Sequence, residues 1–329
     1  MRKQIFITDK ELQNYGSIAT LSDKANSLLL QQKEKWDLVR NNFKNLEKIK
    51  VKYFTIDGYE LKIQFNPTRI ASSSAKVDKK SLEKRACFLC AENLPVEQKG
   101  IKYNNDYIIL VNPFPIFTQH LTIPKLQHVP QNIENSFEDL LKLSFDLKDN
   151  FFVFYNGPKC GASAPDHFHF QAAIKNYTPL EKFYKKLIMN NGKLIFNDNS
   201  TEIFTIKNTV QNFIYISTSS IDSANNHFAK ILSSLKSFDV NEAEPKLNIV
   251  SFYENNKWNV FIFPRSKHRP EQYFYEDERK ILFSPAAAEM TGVCILPREE
   301  DFNKITKADL LDMFNQVKIS NSVLDKIIV

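Results

Sequence analysis

The sequence predicts an α+β fold, with antiparallel sheets and flanking helices, and three observations lead there. Apolar residues alternate in short runs joined by hairpin signals such as Asp57-Gly58, which favour antiparallel neighbours. Helical periodicity interrupts these runs instead of alternating with them strand by strand, so a doubly wound parallel sheet is not expected. The second half of the chain then repeats the style of the first, as two tandem halves would.

Each element can be justified in order. Residues 20–46 carry apolar side chains at helical spacing behind a Ser/Asp start signal, which predicts one long helix. VKYFTI-DG-YELKIQF predicts a hairpin, and the serine-rich stretch NPTRIASSSAKVDKKS predicts a loop. Residues 103–124 read as two strands about a Pro-bounded turn, residues 134–148 as a helix, and FFVFYNG as a buried strand stopped by Asn-Gly. The loop CGASAPDH follows, then a strand DHFHFQAAI and a helix over 180–190. Strands over 193–217, a helix over 221–237, the hairpin LNIVSFYENNKWNVFIFP, a strand at MTGVCILP and two short helices complete the chain. The implied organisation is an N-terminal helical segment (1–50), a first half (51–195) and a second half (196–329).

Composition narrows the function classes. At 329 residues, 43% hydrophobic and 25% charged, the chain is long enough to bury a large core. A net charge of +6 permits an anionic ligand, but no dense Lys/Arg stripe with interleaved aromatics marks a nucleic-acid footprint. The start MRKQIFITDKELQNYG has no apolar signal region, and no apolar run reaches the roughly 20 residues of a membrane span. No membrane partner is therefore expected, and a cytoplasmic location is. The abundance of Lys, Asn, Ile and Phe resembles the coding bias of an AT-rich bacterium.

The chemistry concentrates around Asp166-His167-Phe168-His169-Phe170-Gln171. If these residues form a strand, His167, His169 and Gln171 line one face, and Phe168 and Phe170 sink into the other. Cys87-x-x-Cys90 suits a metal knuckle or a redox pair, and four cysteines in a cytosolic chain argue against a disulfide framework. With His120 and His167 the pair would complete a tetrahedral Cys₂His₂ zinc site. The 29 and 46 intervening residues are too many for a finger, so a larger fold would have to assemble it. His120 is equally well read as a satisfied core residue. The Gly161-Ala162-Ser163 loop can offer backbone N–H groups and a hydroxyl to an anion. Lys267 and Arg269, in FPRSKHR, are either a phosphate clamp or a charged turn. His128 and His227 have no constellation around them and read as surface or core residues. Cys160 lacks the context that acyl transfer would need.

Taken in order, NPTR, CFLC, NPFPIFTQHLTIP, NG, GAS and DHFHFQ resemble the histidine-triad superfamily in its nucleotidyltransferase branch. That branch holds the GDP-L-galactose phosphorylases, the galactose-1-phosphate uridylyltransferases and the diadenosine tetraphosphate phosphorylases, and the first group is the most similar. The resemblance covers residues 60–175 well and 245–305 loosely. It implies HIT-like halves, with the catalytic one first, and a Gln171 where hydrolytic members carry a third histidine. It implies that His169 is the nucleophile and that Gln171 bonds the transferred phosphoryl group. Cys87, Cys90, His120 and His167 match the zinc ligands, the zinc being structural. Arg69, Asn156 and Ser163 match positions near the phosphates.

The expected activity is nucleotidyl transfer through a covalent nucleotidyl-histidine. The donor would be a nucleoside diphosphate sugar or dinucleoside polyphosphate, and the acceptor phosphate or a sugar phosphate. A neutral imidazole is a competent nucleophile toward phosphorus, provided that a backbone carbonyl or similar acceptor keeps its other ring nitrogen protonated. The alternatives are a dinucleoside-polyphosphate hydrolase, which Gln171 disfavours, and a zinc-stabilised nucleotide-binding protein without catalysis. A homodimer is left open.

Overall fold

The structure is a computed structural model that describes residues 5–70, 85–240 and 242–329. The predicted serine-rich loop lies largely outside the described residues, so only its first part, Asn66 to Ile70, can be placed. Thirteen strands form two sheets among the described residues.

The larger sheet has ten strands, antiparallel throughout. In chain order they are β3 (Gly100–Tyr103), β4 (Tyr107–Val111), β5 (His120–Pro124), β6 (Phe151–Asn156), β7 (His169–Ile174), β8 (Gly192–Asn197), β9 (Thr201–Ile206), β10 (Phe213–Thr218), β11 (Leu247–Glu254) and β12 (Lys257–Pro264). Their spatial order is β3-β4-β5-β7-β6-β11-β12-β10-β9-β8. The first five strands and the second five share one connectivity. Each set runs three strands, then a helix, then a closing pair that inserts beside the third strand. That helix is Phe137–Asp146 in the first set and Ile221–Lys236 in the second. The sets meet where β6 pairs with β11, Asn156 opposite Asn248. The α+β class and the doubled architecture are therefore those the sequence predicts. Strand β8 spans positions 195 and 196, where the two halves were expected to divide.

The second sheet has three strands. The predicted hairpin is β1 (Lys50–Ile56) and β2 (Tyr59–Phe65), with Asp57 and Gly58 both at positive φ, as a tight hairpin turn requires. Strand β13 (Val293–Leu296) adds parallel to β2.

Helices labelled in chain order are α1 (Asp9–Leu12), α2 (Leu21–Lys35), α3 (Asp37–Asn45), α4 (Phe137–Asp146), α5 (Pro179–Asn191), α6 (Ile221–Lys236), α7 (Ala287–Met290), α8 (Glu299–Lys304), α9 (Lys307–Val317) and α10 (Asn321–Leu324). The single long helix predicted over 20–46 is two helices. Trp36, extended at φ −130° and ψ 105°, ends α2 and caps α3. No Gly or Pro marks this break; the residue that makes it, Trp36, is buried. Local signals hold elsewhere. Thr178 and Glu181 close a capping box on α5 with Pro179 at its first position, a device worth about 1 kcal/mol.

Strand β6 is buried on both faces, which explains why FFVFY reads as an unbroken apolar run. Phe151, Val153, Tyr155, Phe168 and Phe170 pack into the core beneath α2, α3, α4 and α6. Phe152, Phe154 and Ala173 face the opposite core, shared with the small sheet and α9. His169 and Gln171 fall on this second face, by strand alternation.

Candidate active site

Strand β7 begins at His169, so His167 lies just before it and not within it. The expected row of His167, His169 and Gln171 on one face is therefore split. His169 and Gln171 line a cavity of about 540 Å³, while the His167 ring turns toward Cys87 and Cys90.

The tautomer of His169 follows from its surroundings. Its Nδ1–H donates to the carbonyl oxygen of His167 at 2.8 Å, and a carbonyl can only accept. The lone pair is therefore on Nε2. Burial holds the imidazole down to about pKa 4, so it is neutral near pH 7. Gln131 clamps the backbone from behind. It accepts from His169 N–H at 2.8 Å, and its amide donates to the carbonyls of His169 and Asn156, both at 3.0 Å. Sequence reasoning missed Gln131, which sits in a loop without periodicity.

His120 is fully buried on β5, and it is not among the Cys/His cluster. Ile116 N–H donates to its Nδ1 at 3.2 Å, so its Nε2–H is the donor to Gln171 Oε1 at 2.9 Å. Burial and the nearby Arg69 charge push it down to about 3, leaving it neutral. With Oε1 engaged, Gln171 keeps its NH₂ group as a donor for the cavity.

The cysteine cluster instead takes His128, which the sequence had marked as a surface or core residue. One ligand atom each from Cys87, Cys90, His128 and His167 lies within 4.8 Å of the others. Cys87 Sγ is 3.2 Å from His167 Nδ1, and Cys90 Sγ is 3.1 Å from His128 Nδ1. Tetrahedral zinc with two thiolates and two imidazoles places its ligand atoms roughly 3.3 to 3.8 Å apart, so the donor set fits zinc and shifts of a few tenths of an ångström to about one ångström would bring the four atoms to that spacing. The orientation of His167 fits as well. Its Nε2–H donates to the carbonyl of Lys125 at 2.8 Å, which leaves Nδ1 unprotonated toward the sulfurs. His120 was the natural candidate by spacing, but it points into the sheet, where Gln171 needs its N–H.

The Gly161–Ser163 loop lines the same cavity as His169. Gly161 adopts φ +96°, and a Cβ there would meet Ala286 Cβ at 2.4 Å, so only glycine fits. Ser163 and Asn156 line the cavity. Asn156 Oδ1 accepts from Ala287 N–H and from Asn248, both at 2.8 Å, which ties the loop's approach to the second half. Asn248 in turn donates to the Cys160 carbonyl at 2.7 Å. Cys160 itself is buried and its thiol is pushed up to about 12, the reverse of an activated nucleophile.

Of the cationic candidates, Arg69 and Arg269 line the cavity and Lys267 does not. Arg69 donates to the Phe114 carbonyl at 2.8 Å, and burial holds it down to about 10. Arg269 donates to Ser284 Oγ at 2.9 Å and lies over the Tyr273 ring. Lys267 is half exposed and pairs with Glu271 at 3.3 Å. Its neighbour His268 faces the cavity instead. Arg265 explains this geometry. It is a buried guanidinium whose hydrogen bonds to the Lys267 and His268 carbonyls fold the segment back. Arg85 and Glu289, which the sequence did not single out, line the cavity too. The rest of the wall mixes apolar side chains, among them Trp36, Phe88, Leu94, Phe114 and Ile116, with polar ones such as Gln98 and Asn112.

Ten antiparallel strands in two like-connected sets thus carry His169 into a cavity that the Gly161 loop also lines. Residues 185–327 match the family described as GDPGP1-like, C-terminal domain, and residues 28–174 match the Domain of unknown function (DUF4922). In solved structures, the yeast Ap4A phosphorylase Apa2 in complex with AMP aligns at 17% identity and TM-score 0.53, over 86% of this chain and 93% of that one. The same protein in complex with Ap4A aligns at 15% and 0.50, over 87% and 97%. A uridylyltransferase structure aligns at 15% and 0.37, over 69% and 90%. No curated protein matches in sequence. Residues 185–327 thus resemble a GDPGP1-like C-terminal domain, and the chain shares the fold of the yeast Ap4A phosphorylase Apa2.

Proposed function

We propose that this protein is a nucleotidyltransferase or phosphorylase that forms a nucleotidyl-His169 intermediate. The observation that carries the reading is the Nδ1–H bond from His169 to the His167 carbonyl, which leaves Nε2 as a neutral nucleophile in the cavity. The fold shared with an Ap4A phosphorylase supports the same class. The donor is a nucleoside diphosphate sugar or a dinucleoside polyphosphate, and the acceptor is phosphate or a sugar phosphate.

In the first step the Nε2 electron pair attacks the nucleotidyl phosphorus. A P–N bond forms, the P–O bond to the leaving phosphate breaks, and that oxygen departs with the electron pair. In the second step an acceptor phosphate oxygen attacks the same phosphorus and the P–N electrons return to Nε2. Charge on the phosphoryl oxygens is met by the Gln171 amide, the Ser163 hydroxyl and the loop N–H groups, with Asn156, Arg69 and Arg269 beside them. Gln171 takes the position where a third histidine would serve hydrolysis, so the intermediate is held for a phosphate acceptor. Zinc held by Cys87, Cys90, His128 and His167 would supply structural cross-linking of the loop before β7.

The test is isotope exchange. The labelled leaving group, a sugar phosphate from a nucleoside diphosphate sugar or a nucleoside polyphosphate from a dinucleoside polyphosphate, should pass back into the donor without any acceptor, as a ping-pong cycle requires. Exchange only when both substrates are present would contradict a covalent intermediate.

A further inference from the structure

Arg85 stands between the cavity and the Cys/His cluster. It lines the cavity with His169, and it precedes Cys87 of the metal cluster by two positions. Its Nη2 bonds Asp166 Oδ1 at 2.6 Å, and its guanidinium lies over the Phe88 ring at 4.9 Å. Its Nη1 is buried and has no hydrogen-bond partner among the described residues. A buried guanidinium nitrogen left unpaired is costly, and at a cavity wall a small turn of the side chain would bring it to a bound anion. The other oxygen of Asp166 lies 3.9 Å from His128 Nε2, beyond hydrogen-bond range. His128 points Nδ1 at Cys90, so Nε2 is the nitrogen that an outer carboxylate would hold.

We propose that Arg85 is an anion-binding side chain of the cavity, and that Asp166 couples it to the Cys₂His₂ cluster so that nucleotide binding and metal retention strengthen each other. Asp166 is drawn toward Arg85 in the free protein. An anion on Arg85 takes a share of the guanidinium, and Asp166 moves to close the gap to His128 Nε2–H. A carboxylate in that position strengthens the histidine's hold on the metal. Coupling of this kind is reciprocal, so zinc also raises nucleotide affinity. The proposal rests on the reading that the cavity takes a phosphate-bearing nucleotide, but on no covalent step at His169.

The experiment follows zinc loss from the full-length, zinc-loaded protein to a chromophoric chelator, with and without saturating AMP or GMP. These monophosphates bind zinc weakly in solution, and the variants share any such background. One of the two should slow zinc loss several-fold in the wild type. Arg85→Gln should weaken binding of that nucleotide about tenfold and remove its effect on zinc, while Asp166→Asn should speed zinc loss about tenfold and likewise remove the nucleotide effect. Arg85→Lys serves if the glutamine variant does not fold, since one ammonium cannot hold Asp166 and an anion in the guanidinium's geometry. Zinc loss that ignores both nucleotides, or keeps its dependence in the Arg85 variants, overturns the coupling, as does a protein that holds no zinc. If a nucleotidyl adduct still forms on His169 in that case, the transferase reading stands without it. If neither nucleotide binds and no adduct forms, both fall.

Discussion

His120 Nε2 lies 2.9 Å from Gln171 Oε1 on the neighbouring strand, and this pair decides which end of the amide faces the cavity. Because Ile116 N–H occupies Nδ1, the imidazole can only donate toward Gln171, and the amide NH₂ is left for a phosphoryl oxygen. His120→Phe preserves an aromatic ring beside Phe117 and Phe154 but removes that donor. The expected result is a fall in kcat of about 10- to 100-fold with KM little changed, and a stability loss of about 1–3 kcal/mol from the unpaired Ile116 N–H. Steady-state kinetics and a denaturant melt check it. An unchanged kcat would mean that Gln171 is oriented by something else.

The same variant separates the two histidines in the metal question. His120→Phe should retain about one zinc per chain, whereas His128→Ala and Cys87→Ser should lose most of it and melt at lower temperature. Elemental analysis of the purified proteins reads this directly. Zinc retained in His128→Ala and lost in His120→Phe would reverse the assignment.

Much of this was legible in the sequence, for identifiable physical reasons. Asp57-Gly58 is a turn pair whose residues take positive φ, so the first hairpin's turn was legible, and the second hairpin was legible as a stretch whose turn falls at Asn255-Asn256, also at positive φ. The His-x-His-x-Gln spacing correctly put His169 and Gln171 side by side, because strand alternation is local. What escaped depends on contacts distant in sequence. His128 joins Cys90 across 38 positions from an irregular loop, and nothing local distinguishes it from a surface histidine. His120 looks equally like a ligand until its two ring nitrogens are traced to Ile116 and Gln171. Trp36 breaks a helix that periodicity alone would continue.

On the acceptor side, Arg269→Ala should raise KM for phosphate or sugar phosphate about tenfold, since it removes a cavity-lining cation. Lys267→Ala should stay within about twofold, because that ammonium pairs with Glu271 at the surface. Initial-rate measurements on both variants decide between the clamp and the charged-turn readings of this segment.

Stability should carry a pH signature from Glu244. This carboxyl is buried, bonded to Tyr155 and Ile133 N–H, and pushed up to about 7 chiefly by burial. A folded pKa above the unfolded value means that the native state holds a proton the unfolded chain has released. The contribution is therefore full below about pH 4.5 and is lost as pH rises through 7. Glu244→Gln mimics the protonated form, so its stability relative to wild type should be near zero at pH 4.5 and grow to at most about 3 kcal/mol at pH 8. Urea melts at several pH values measure the difference. A constant offset between the two proteins would mean that Glu244 does not titrate in this range.

The most direct test of the central claim is mass spectrometry of the protein mixed with Ap4A, a GDP-hexose or a UDP-hexose in the absence of acceptor. The account predicts an acid-labile nucleoside-monophosphate adduct on His169, discharged by adding phosphate or a sugar phosphate and absent in His169→Ala. A protein that turns over one of these donors with no adduct on His169, and with His169→Ala fully active, would contradict it.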